Sequence, residues 1–159
     1  MNPSEKTCVI VADGARARLF LVAADDSPRR TRKLVEQSTL ANRERESRGG
    51  RGADQTKSER NTNRQAGPVH PIGAARDRHR LEHERRFGAE IVESALRITR
   101  DWDQGTIVLI AEPRLLGLMR KRLRAAVNRN VDVEELAKDY SGVSDAALER
   151  LVFSRGSAP

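Results

Sequence analysis

Short apolar runs and turn signals alternate along the first forty residues. Residues 8–12 are apolar and rich in β-branched side chains, and the turn pair Asp13-Gly14 follows them. A second apolar run occupies residues 17–23, and residues 33–39 form a third candidate strand. The spacing predicts a hairpin of the first two strands, joined at Asp13-Gly14, with a third strand after it.

The next segment, residues 41–75, contains almost no apolar side chain. Arg, Glu, Gly, Asn, Gln and Ser dominate it. Such a composition cannot bury enough surface to offset the entropy that ordering the chain would cost. We therefore predict a flexible basic loop inserted into the domain. Its length is unusual for a compact domain and is typical of a functional or disordered segment.

Helix and strand signals alternate after this loop. Apolar positions recur at helical spacing from Arg76 to about Arg100, and the first half of this helix is polar nearly all round. We expect that half to project beyond the core. Residues 106–111 form a fully apolar strand, typical of the centre of a sheet. The remaining predicted elements are a helix opening at Glu112-Pro113, a short strand over residues 131–136, and a last helix capped by Ser144.

This order of elements, β-β-β, loop, α-β-α-β-α, predicts an α/β fold in which helices flank a mixed β-sheet. A chain of 159 residues with 37% hydrophobic residues suits a single domain over residues 1–159 with one modest core. The apolar runs are far shorter than the roughly 20 residues of a membrane helix, and no secretory signal opens the chain. We therefore expect a cytoplasmic protein without membrane contact.

The charge pattern narrows the class of partner. The net charge is +7. The excess of positive charge lies in three segments, namely residues 29–33, 41–86 and 112–130. Clustered positive charge favours a polyanion such as RNA, although a solvated, salt-bridged surface gives the same count. Arg-Gly-Gly runs bind RNA through guanidinium contacts, with a flexible solvated loop as the alternative. The residues that we expect to contact RNA are Arg48, Gly49, Gly50, Arg51, Arg78, Arg80, Arg120 and Arg124.

Two other constellations could carry chemistry. The H-x-x-E-H match at His79, Glu82 and His83 has the zinc-binding spacing of inverted zincins. Surrounding arginines would oppose a dication there, so exposed histidines on a basic helix are the alternative. Asp13 and Arg16 either fix their turn by pairing or contact a ligand at the strand end. We expect no catalytic residue and no cofactor, with His79 and His83 as the candidate metal ligands.

Two segments resemble a known family. Residues 9–20 read Val-Ile-Val-Ala-Asp-Gly-Ala-Arg-Ala-Arg-Leu-Phe, and residues 108–120 read Val-Leu-Ile-Ala-Glu-Pro-Arg-Leu-Leu-Gly-Leu-Met-Arg. Both resemble the bacterial host attachment family, the "protein required for attachment to host cells". Residues 135–139 and the helix segment 83–87 also fit. The resemblance covers most of the chain except the long loop.

That family is similar to the central domain of archaeal and eukaryotic class-1 translation release factors. The resemblance implies a release-factor-like α/β fold, with a loop before the long helix that carries Gly-Gly-Gln in true release factors. Here the loop holds Gly49-Gly50-Arg51, with Gln55 as the nearest glutamine, so peptidyl-tRNA hydrolysis is not expected.

Charge and resemblance together predict a non-catalytic, ribosome-associated protein whose partner is ribosomal RNA. One alternative is a protein-interaction module that acts indirectly in host-cell attachment. The other is a zinc hydrolase that uses the H-x-x-E-H motif.

Overall fold

The computed structural model describes residues 6–24, 28–29, 31–43 and 70–155. The predicted RNA-binding run Arg48–Arg51 therefore lies outside the described residues. The strands are β1 (Thr7–Ala12), β2 (Arg16–Ala24), β3 (Arg32–Ala41), β4 (Gly105–Ala111) and β5 (Val131–Ala137). The helices are α1 (His70–Thr99), α2 (Pro113–Ala126) and α3 (Asp145–Arg155).

The five strands form one mixed sheet in the order β3-β2-β1-β4-β5. The hairpin partners β1 and β2 are antiparallel, as are β2 and β3. On its other side β1 pairs with β4 in parallel, and β4 pairs in parallel with β5. The prediction of an α/β fold with a mixed sheet flanked by helices is therefore confirmed.

The predicted bounds of the two elements that flank the loop differ from those of the structure. The long helix begins at His70, six residues before the predicted start at Arg76. Proline is tolerated in the first turn of a helix and alanine is the strongest helix former, so Pro71 and the Ala74-Ala75 pair are compatible with this earlier start. At the other end, β3 continues to Ala41, because pairing with β2 lets Leu40 pack against the core.

Alternate residues of the central strands enter two separate cores. On one face of the sheet, Cys8 and Ile10 pack against α1 and α2. On the other face, Val9 and Val11 pack against α3 through Leu148 and Val152. The near-continuous apolar runs of β1 and β4 are explained by this arrangement, since both of their faces are covered.

Glycines allow two close approaches. A Cβ on Gly88 of α1 would lie 3.4 Å from the Met119 side chain of α2, so this glycine lets the two helices pack tightly. A Cβ on Gly105 would lie 2.6 Å from the Lys6 carbonyl oxygen and 2.7 Å from the Trp102 ring. Gly105 is therefore fixed by sterics at the start of β4.

The turn between β1 and β2 is closed by side chains. The Asp13 carboxylate accepts hydrogen bonds from the backbone N–H groups of Ala15 and Arg16, at 2.6 and 2.7 Å. The Asn42 side chain donates to the Gly14 carbonyl at 3.0 Å. Asp13 therefore fixes its turn through backbone groups, an Asx turn, which is the structural alternative of the sequence analysis.

Candidate nucleic-acid interface

Helix α2 separates an apolar stripe from a basic one. Its buried residues are Leu115, Leu116, Met119 and Leu123, which face the sheet and α1. Positions three and four residues apart share one face of a helix. The outward stripe, here called the basic face, consists of Arg114, Gly117, Arg120, Lys121 and Arg124, all exposed.

Two of these arginines are held by a single carboxylate from the neighbouring strand. Arg120 Nε lies 2.8 and 2.9 Å from the two carboxylate oxygens of Glu135 in β5. Arg124 Nη2 lies 3.2 Å from Glu135 Oε1. The Glu135 side chain is only 17% exposed, whereas those of Arg120 and Arg124 are 47% and 57% exposed. The carboxylate thus lies beneath the two guanidinium groups and leaves them accessible to solvent.

Arg114 is held in a similar way from the opposite side of α2. Its Nε lies 3.1 Å from Oε2 of Glu84 in α1, and the Glu84 side chain is 11% exposed. This oxygen accepts no hydrogen bond, so the contact is an ion pair without a well-aligned N–H donor. A buried carboxylate without a cation would be costly, so Arg114 also supports the burial of Glu84.

Arg18, in contrast to the arginines of the basic face, is bound by carboxylates from two different elements. Its Nε and Nη2 both donate to Glu36 of β3, at 3.0 and 2.5 Å, and Nη2 also donates to Asp145 of α3 at 2.8 Å. Its guanidinium carbon lies 4.8 Å from the centroid of the Phe20 ring. These contacts raise the pKa of Arg18, with the Glu36 hydrogen bond as the main cause. Arg18 therefore joins β2, β3 and α3, and this side chain has a structural role.

The other predicted RNA contacts lie on α1. Arg78 and Arg80 are exposed, as are all residues from 73 to 80, so the first half of the helix projects beyond the core as predicted. Arg80 precedes Glu84 by one helical turn. Because Glu84 contacts Arg114 at the start of α2, the projecting half of α1 extends outward from that end of α2.

The candidate metal ligands also lie on this half of α1. The His79 and His83 rings stack, with centroids 6.2 Å apart and an interplanar angle of 19°. Glu82, the candidate general base, lies 3.4 Å from Arg86 in an ion pair. Within the part of the chain that the structure describes, no group of three His, Cys, Asp or Glu side chains could hold a metal ion.

Sequence reasoning did not identify the carboxylates that complete the basic face. Glu84 and Glu135 come from two other elements, 30 residues before and 21 residues after Arg114. Glu135 lies in β5, where apolar and polar residues alternate. Such alternation indicates that one face of the strand is covered, but it does not identify the helix residues that Glu135 contacts. Arg114, Gly117 and Lys121 were not among the residues predicted to contact RNA.

Comparison with known protein families agrees with the resemblance to the host attachment family. Among the described helices, none has the length and apolar character that crossing a membrane requires. No curated protein matches the sequence. The fold defines an α/β protein with a basic helix face, and the family model "Protein required for attachment to host cells" matches residues 8–152. The chain belongs to this host attachment family.

Proposed function

We propose that this host attachment family protein binds RNA through the basic face of α2, without catalysing a reaction. The observation that carries the proposal is the pair of exposed arginines, Arg120 and Arg124, held from below by the nearly buried Glu135.

The hydrogen-bonding pattern of Arg120 supports this function. A guanidinium group has five N–H donors. Arg120 meets Glu135 through Nε, so its two terminal nitrogens are left for a ligand, and these form the fork that suits phosphate oxygens. The side chain is also already ordered, which lowers the entropy that binding would cost.

The charge balance distinguishes this face from an ordinary network of surface ion pairs. The basic face has four basic side chains, Arg114, Arg120, Lys121 and Arg124, of which the three arginines contact two carboxylates, those of Glu84 and Glu135. The face therefore keeps an excess of positive charge after pairing. On the projecting half of α1, Arg80 lies one turn before Glu84 on the same side of the helix, and Arg78 adds a further exposed positive charge to that half.

The resemblance of the family to release-factor central domains supports the ribosome as the source of this RNA. The test is co-sedimentation with ribosomes from a cell lysate, with and without RNase, at low and high salt. We expect a ribosome-bound fraction that disappears with RNase and at high salt, because phosphate contacts release counterions. Protein that stays in the supernatant under all conditions would contradict the ribosomal proposal.

A variant pair assigns the binding to the basic face. We expect Arg120→Gln/Arg124→Gln to weaken RNA binding and to reduce the slope of log K against log salt by roughly 1 to 2. The matched control is Arg150→Gln/Arg155→Gln, which removes the same charge from exposed positions of α3 on the other side of the sheet. Equal effects of the two double variants would mean that net charge alone, and not this face, governs binding.

A further inference from the structure

A glycine in the middle of the basic face has no packing role. Gly117 lies in the second turn of α2, and a Cβ added there would meet nothing within 4 Å. In a helix, glycine is roughly 0.5–1 kcal/mol less favourable than alanine. Gly88 differs, because its missing Cβ lets Met119 approach. The packing of the described residues therefore explains Gly88 and leaves Gly117 unexplained.

The position of Gly117 suggests what its missing side chain allows. It follows Arg114 by three residues and precedes Arg120 by three, so it lies between them on the outward face. Along the helix axis, Arg114 and Arg124 are separated by about 15 Å, at 1.5 Å per residue. A ligand that crosses the helix between these arginines could touch the backbone at Gly117. Glycine permits such close approach of a backbone to a ligand.

The aromatic residues narrow the class of RNA. Five of them are Phe20, Phe87, Trp102, Tyr140 and Phe153, and the three histidines lie on α1. Phe87 and Trp102 pack in the core beneath α1 and α2, Phe20 packs in the core beneath α3, and Tyr140 and Phe153 are partly buried against that core. None of these aromatic side chains belongs to the basic face of α2. Unpaired bases are bound mainly by stacking on aromatic side chains, whereas paired RNA is bound through its phosphates, its sugar hydroxyls and its shape.

We propose that a base-paired RNA segment lies across the basic face, with Gly117 at the point of closest approach to the sugar-phosphate backbone. This inference rests on the proposed RNA-binding function and names the form of RNA. A stem holds its phosphates in fixed positions, which suits arginines that are themselves held in place by Glu84 and Glu135. A flexible single strand would lose more conformational entropy on the same surface.

The first experiment compares an RNA stem-loop with a single strand of equal length and base composition that cannot pair. We expect the stem-loop to bind about tenfold more tightly. This factor corresponds to one charge-assisted contact that the single strand fails to make. We also expect the affinity to stay the same when the base pairs of the stem are permuted. Equal or tighter binding of the single strand would overturn this inference and leave RNA binding in place. Absence of binding to both RNAs would instead contradict the proposed function itself.

The second experiment uses Gly117→Gln, with Ala146→Gln at an exposed position of α3 as the matched control. We expect Gly117→Gln to weaken stem-loop binding about tenfold, because the new side chain prevents close approach. Its melting temperature should equal or exceed that of the unchanged protein, since glutamine is the better helix former. Ala146→Gln should bind as the unchanged protein does. Undiminished binding by a folded Gly117→Gln protein would exclude close approach at this position.

Discussion

At the scale of single residues, the hydrogen-bond partners of each arginine distinguish structural side chains from candidate binding side chains. Arg18 donates from Nε and Nη2 to carboxylates on two other elements. Arg120 meets its carboxylate through Nε. The sequence shows both as arginines in amphipathic segments, and only the neighbours that folding brings to them separate the two roles.

The Arg18–Glu36 pair makes stability depend on pH. A hydrogen bond from Thr39, followed by one from Arg18, lowers the pKa of Glu36. A carboxylate with a lowered pKa adds stability above its unfolded pKa, and this contribution disappears as the pH falls through the folded pKa. We expect Glu36→Gln to lower the free energy of unfolding at neutral pH by about 1 kcal/mol or less, because the pair is partly exposed.

Urea unfolding of both proteins over a series of pH values would measure this effect. The difference between Glu36→Gln and the unchanged protein should vanish at acidic pH. The matched control is Glu93→Gln, which removes the same charge from an exposed position of α1. If the difference in the free energy of unfolding stayed constant down to acidic pH, the ionised Glu36 carboxylate would not be the source of the lost stability.

Cys8 is expected to be inert. It lies fully buried in β1, and burial raises the pKa of its thiol to about 12. The thiolate is the reactive form, and it is scarce at neutral pH when the pKa is this high. A chromogenic disulfide reagent should therefore react with Cys8 in urea and leave it unmodified in the native protein. Rapid modification without denaturant would contradict the burial.

At the scale of elements, the ends of β3 and α1 show where sequence patterns stop being informative. The apolar alternation of β3 fades before Ala41, yet pairing with β2 carries the strand to that residue. The first turns of α1 have no apolar stripe, yet the helix begins at His70. The segments with the clearest apolar patterns, namely β1, β4 and α2, were predicted correctly. The continuous apolar runs of the two strands and the periodic apolar stripe of the helix are visible in the sequence itself.

Helix α3 covers the core that contains Val9 and Val11, on the face of the sheet opposite α1 and α2. Ser144 caps it, with its hydroxyl 3.3 Å from the backbone N of Ala147, as the sequence predicted. Glu149 accepts a hydrogen bond at 2.8 Å from the backbone N–H of Leu34, at the edge of the sheet. This hydrogen bond satisfies a backbone N–H group of the edge strand β3, which could otherwise pair with a strand of another chain.

Leu148 carries the apolar contact between α3 and the sheet. It is 1% exposed, whereas Leu151 on the same helix is half-buried. We expect Leu148→Ala to lower the free energy of unfolding by roughly 2–5 kcal/mol, because a fully buried leucine leaves a cavity. Leu151→Ala should cost clearly less, as measured by chemical denaturation. Similar losses for both variants would contradict the assigned orientation of α3.

At the scale of the whole molecule, the helices on the two sides of the sheet differ in charge. Helix α2, which carries the basic face, contains five Lys or Arg and no Asp or Glu. Helix α3, on the other side, contains two Asp or Glu and two Lys or Arg. An RNA ligand is therefore expected to approach the α2 side. The double variants of α2 and α3 test this asymmetry directly.

The sequence by itself determined the class of fold, the order of the elements, the family and the excess of positive charge. These properties depend on local periodicity, turn residues and composition, which need no knowledge of distant neighbours. Tertiary structure alone decided which charges meet. It brought Glu84 and Glu135 to the arginines of α2, paired Arg18 with Asp145, and left the outward side of Gly117 open. Those contacts join residues far apart in the chain, and the packing of helices on a sheet fixes them.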